Sequence, residues 1–214
     1  MFQSLMSRAS TPSRVMITVA SLLFLITFIA PLWEISLSAP QYPEGLSMQI
    51  WASKFTGDVS TINILNHYIG MAPITADKFP EFQIFPKVFG AFLVLGLLVA
   101  GIGRKALSAL YALLVVCFSF MALYDFYQWE YNFGHNLNPD AAIKMDDMVY
   151  QPPLIGEKVF LNISASSWPD IGGIAFVLAI VLILIAVVWD FGGFSRFKNL
   201  KNFRKRRESH VASI

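Results

Sequence analysis

Three histidines, eight methionines and one cysteine, Cys117, are the soft and imidazole donors of this chain. Their placement decides which metal chemistry is open to it. His67 precedes Met71 by four residues in Ser-Thr-Ile-Asn-Ile-Leu-Asn-His-Tyr-Ile-Gly-Met (60–71), a spacing that puts both side chains on one helix face. Ser60 offers a cap for such a helix, Ile62, Leu65 and Ile69 recur at helical spacing, and Gly70 offers a left-handed close. A second histidine, His135, ends the aromatic run Tyr124-Asp-Phe-Tyr-Gln-Trp-Glu-Tyr-Asn-Phe-Gly-His, and Met145 and Met148 follow in Lys-Met-Asp-Asp-Met. Thioether with imidazole suits copper, Cu(I) above all, whereas two histidines without cysteine make a poor structural zinc site. His67, Met71 and His135, with Met145 or Met148 as a further ligand, are therefore the expected metal site. A b-type haem between the two histidines is the lesser alternative. The plain alternative makes each an interfacial residue bonded to a backbone carbonyl.

The elements that must hold these residues follow from composition. Hydrophobic residues make up 56% of the chain and charged ones 14%, with a mean hydropathy of +0.57, a balance foreign to soluble domains. Four apolar runs, 15–33, 88–103, 106–124 and 171–189, approach the roughly 20 residues needed to cross a bilayer. The expected class is an all-α membrane protein: four transmembrane helices, with a small mixed extracytoplasmic domain built from loops 34–87 and 125–170. Leu46, Met48 and Ile50 alternate with polar neighbours before a Thr56-Gly-Asp58 turn, and Val159, Leu161 and Ile163 alternate likewise. Two strands pairing across the loops are expected there.

Charge sets the orientation. Arg8 and Arg14 lie in segment 1–14, Arg104 and Lys105 join the second run to the third, and seven basic residues crowd the tail 190–214. The two long loops hold five of the sixteen basic residues but twelve of the fourteen acidic ones. Positive-inside asymmetry then puts both termini in the cytoplasm of a bacterial inner membrane. The basic tail suits anionic lipid rather than nucleic acid. The first run exceeds a signal-peptide core and ends in Pro31 and Trp33, which suits a retained span. Asp125 and Glu34, at span ends, are expected in structural ion pairs, Asp125 with Lys87. A lone cysteine excludes an internal disulfide and covalent c-type haem. No triad order, phosphate loop or zinc-protease motif is present, which favours a non-enzymatic role.

Pro40-Gln-Tyr-Pro-Glu-Gly-Leu46, Ile62-Asn-Ile-Leu-Asn-His-Tyr-Ile-Gly-Met71, Tyr131-Asn-Phe-Gly-His-Asn-Leu137, Val149-Tyr-Gln-Pro-Pro-Leu-Ile-Gly156 and Ser167-Trp-Pro-Asp170 resemble segments of four-span bacterial inner-membrane proteins encoded near nitrous oxide reductase genes. The resemblance implies an accessory of a periplasmic copper-dependent respiratory enzyme in denitrification, serving copper delivery or electron supply. Two other roles stay open: a metal-free docking subunit of a membrane complex, and a quinol-oxidising electron-transfer subunit.

Overall fold

The computed structural model describes residues 7–143, 149–160 and 163–192, apart from the side chain of Phe160. In chain order the elements are α1 (Thr11–Leu23), α2 (Ile26–Ile29), β1 (Trp33–Ala39), β2 (Tyr42–Ile50), β3 (Phe55–Gly57) and α3 (Val59–Ile69). A 3-10 turn (Ala76–Lys78) precedes α4 (Glu81–Ile102), α5 (Lys105–His135), β4 (Gly156–Phe160), β5 (Ile163–Pro169) and α6 (Ile171–Asp190). Among the described residues four helical stretches are long and apolar enough to cross a membrane, α1 with α2 counting as one, which fits a multi-pass membrane protein.

The strands form one five-stranded antiparallel sheet in the order β3-β2-β1-β5-β4. The chain is therefore mixed α and β, not all-α, because the loops fold into a full sheet continuous with the bundle rather than a minor appendage. Trp33, placed at the end of the first apolar run, begins the central strand. Pro31 is the reason: it drives Ala30 into an extended conformation (φ −139°, ψ 150°), which closes the helix before the apolar run ends. Strands β2 and β5 each pair with β1, with Ile35 opposite Met48 on one side and Ser167 on the other. The segment read as one strand around Val159–Ser164 is divided between β4 and β5, which pair with each other.

Alternation gives the sheet two unlike faces. Ile35, Leu46 and Met48 are buried together with Ile62 of α3, while Glu34, Ser36, Ser47 and Gln49 fall on the opposite face by register. The bundle core is separate. Ile17 of α1 and Phe24 at its C-terminal cap, Phe89 and Phe92 of α4, Val115 and Phe118 of α5, and Ala179, Ile183 and Ala186 of α6 are buried against one another. Large apolar side chains such as Val94, Leu98, Leu113 and Val181 face outward, as bilayer contact demands. At the Arg104 end, Ser10 N donates to Asp190 Oδ1 (2.9 Å) and Lys105 Nζ to the Asp190 carbonyl (2.7 Å), tying α1, α5 and α6.

Helix α5 runs eleven residues past Tyr124, where a loop was expected. No proline interrupts Asp125–His135, and twenty residues from Lys105 already cover about 30 Å. The stretch 125–135 thus projects beyond the apolar run toward the sheet.

Candidate functional site

The projecting part of α5 presents Ala122, Asp125, Phe126, Trp129, Glu130 and Phe133 on one face, spaced three, one, three, one and three residues apart. That is the helical repeat. This face, the inner face of the sheet, α3 and the start of α4 enclose a cavity of about 400 Å³. Its walls are aromatic and aliphatic. Phe79 packs on Trp129 (4.2 Å between centroids) and stacks with Phe133 (6.0 Å), and Phe55 meets Phe79 edge-on (4.8 Å). The cavity reaches Phe85 and Ala122, and Phe85 in turn touches the bundle core at Phe118 (5.5 Å). It therefore runs from the sheet down to the level where the spans begin.

Polar atoms in this lining are few and poorly matched. Glu130 is 5% exposed, and neither carboxyl oxygen has a hydrogen-bond partner among the described residues. Glu81 Oε2 and Asn66 Nδ2 are buried in the same state. Asp125 lies beside Glu81 rather than pairing with Lys87. Glu34, the other expected ion-pair partner, instead accepts from the Ser36 hydroxyl (2.8 Å). Glu130 stands five residues beyond Asp125, in the part of α5 that extends past the apolar run 106–124, and burial pushes its carboxyl up to about 8, since a desolvated carboxylate without a donor is disfavoured.

Of the residues expected to bind metal, Met71 lines this cavity, and His67 and His135 are not among the lining residues. Helix α3 forms as its spacing implies, and Gly70 closes it at φ +81° with Met71 N bonded to the Asn66 carbonyl (2.8 Å), a Schellman closure. Its start differs. Asp58, not Ser60, is the cap residue, and the Asp58 carboxylate accepts from Ser47 N (2.9 Å) instead. His67 is exposed with its ring near Tyr68, whereas Met71 lies on the cavity wall. His135 stacks on Tyr131 (3.8 Å) with Nδ1 2.9 Å from the Tyr131 carbonyl. No hydrogen bond or ring contact joins His67 to His135 among the described residues, and Met145 and Met148 lie outside them. Among the described residues no group of three or more His, Cys, Asp or Glu could hold a metal ion.

Glu130, Glu81 and Asn66 are the site residues that sequence reading did not single out as a set. The available signal was the helical repeat from Ala122 to Phe133, with acids falling on its apolar face. No protein-family model, curated protein or solved structure matches the chain.

Proposed function

We propose that this is an inner-membrane protein that binds a membrane-borne molecule with a long apolar body, in a cavity held between its sheet and the outer end of α5. The cavity itself carries the reading. At about 400 Å³ it falls in the range of roughly 300–1,000 Å³ typical of ligand pockets, apolar with a few convergent polar groups. It has room for roughly a dozen waters at about 30 Å³ each, yet ordered water needs two to four polar partners apiece. An apolar chain satisfies these walls and water does not. The excess of basic residues in 1–14, 104–105 and 190–214 supports the sheet lying on the extracytoplasmic side with both termini cytoplasmic.

Extraction and mass spectrometry of the purified protein is the test. A lipid-soluble molecule is expected to co-purify in about one copy per chain, and Ala122→Phe, which fills the cavity from a half-buried helix position, is expected to lose it while the chain still inserts. Retention of the same molecule by Ala122→Phe would sink the reading.

A copper-accessory role is a second proposal. It is supported by the resemblance to proteins encoded near nitrous oxide reductase genes and by His135, whose Nδ1 contact with a carbonyl is the arrangement that orients an imidazole for metal binding through Nε2. Stoichiometric Cu(I) retained by wild-type protein and lost in His135→Ala would support it; an empty wild-type protein after desalting would remove it.

A further inference from the structure

The polar groups of the cavity are biased in sign. Among the described residues its lining includes three carboxyl groups, Glu81 on α4 and Asp125 and Glu130 on α5, but no lysine, arginine or histidine. Among the described residues of the lining, unmet acceptors at Glu130 and Glu81 outnumber the unmet donor, Asn66 Nδ2. A carboxyl nine-tenths buried in apolar surroundings is costly until a donor reaches it, and a charged donor serves best. What the described residues withhold from Glu130 a ligand can bring.

We propose that the ligand is an amphiphilic amine: a long apolar chain whose protonated ammonium head seats against Glu130, with Glu81 and Asp125 supplying the surrounding negative field. This rests on the reading that the cavity takes an apolar chain, and adds the chemistry of the head. A phosphate-bearing aminolipid fits less well, because its anion would be brought toward three carboxyl groups. Seating the ammonium displaces the proton that Glu130 holds when the cavity is empty, and that proton leaves to solvent. The other titratable groups sharing the cavity are Glu81, Asp125, Tyr42 of β2, Tyr68 of α3 and Tyr150. The two acids act in the same sense as Glu130, since protonating them weakens the field. Affinity for the amine therefore falls as pH drops below about 8, by up to about tenfold per pH unit.

The test uses the full chain in phosphatidylcholine nanodiscs at pH 8, with binding to empty discs subtracted. Radiolabelled dodecylamine, dodecanol, dodecanoate and lysophosphatidylethanolamine are the probes. Dodecylamine is expected to saturate at one per chain and to bind about tenfold or more tighter than dodecanol, with the other two weaker than dodecylamine. Glu130→Gln is expected to remove that advantage and leave dodecanol unchanged, and Asp125→Asn to reduce it less; thermal unfolding of each variant confirms that it is folded. Dodecanol binding as tightly as dodecylamine, or Glu130→Gln without effect, overturns the cationic head while the chain-binding reading stands. Tighter binding of lysophosphatidylethanolamine overturns the phosphate-free head. Absence of saturable binding by all four probes overturns the chain-binding reading as well.

Discussion

Glu130 is buried with no partner for its carboxyl among the described residues, and that burial pushes the carboxyl up to about 8. The unfolded chain releases the same proton near the ordinary glutamate value of about 4.3. Because the native state binds the proton more tightly, its contribution to stability is complete below the unfolded value and is lost as pH rises to about 8. Wild-type protein in nanodiscs is thus expected to lose thermal stability between about pH 5 and pH 8, and Glu130→Gln to flatten that slope. Parallel pH profiles for the two would contradict a buried, unpartnered Glu130. The acid was visible in the sequence as a polar exception in an aromatic run. Its role was not, because the exposed or buried state of a helix residue depends on what packs over it, and here the covering is a sheet whose central strand starts at Trp33, the residue at which the first apolar run was taken to end.

At the scale of elements, α1, α4 and α5 approach closely where Gly96 faces Ser21 and Tyr111. A Cβ on Gly96 would run into the Ser21 hydroxyl and the Tyr111 ring end, both buried, with Tyr111 Oη already bonded to the Phe92 carbonyl (2.9 Å). Small residues at such crossings let helix backbones approach. Gly96→Ala is expected to destabilise the protein by about 1–3 kcal/mol, as overpacking usually does, and Ser21→Ala added to it to recover part of the loss. Equal melting temperatures for wild type and Gly96→Ala would show that the crossing has slack. Helix existence was legible here, since apolar runs of about 20 residues have few alternatives. Helix ends were less so. Strand β1 was not assigned although Trp33, Ile35 and Leu37 alternate with Glu34 and Ser36, because its first residue, Trp33, was taken as the interfacial end of the first span.

For the molecule as a whole, orientation rests on charge alone. A reporter fused after Ile214 or inserted at Arg104 is expected to be active only in the cytoplasm, and one inserted near Asn138 only outside. The reversed pattern would place the cavity on the inner side. The four-span plan was readable because hydropathy averages over many residues. The cavity was not, since it exists only where the sheet, α3 and α5 meet, and those contacts join residues as distant in sequence as Ile35 and Ala165.

The two central strands pass into spans with almost no chain between them. Pro169 ends β5 and Ile171 starts α6, capped by the Asp170 carboxylate at 2.6 Å, while Asp170 N and Gly172 N bond to the carbonyls of Leu32 and Pro31, just before β1. Strand and helix on each side behave as one bent lever with its fulcrum at this junction. Because β1 and β5 are paired in register from Trp33 opposite Pro169 to Ser38 opposite Ser164, a tilt of α6 and α1 is passed to the two strands as a unit, and their inner face lines the cavity. Helix tilt answers to bilayer thickness, and the wall of the cavity is anchored directly to the elements that meet the membrane, with no flexible linker between the two.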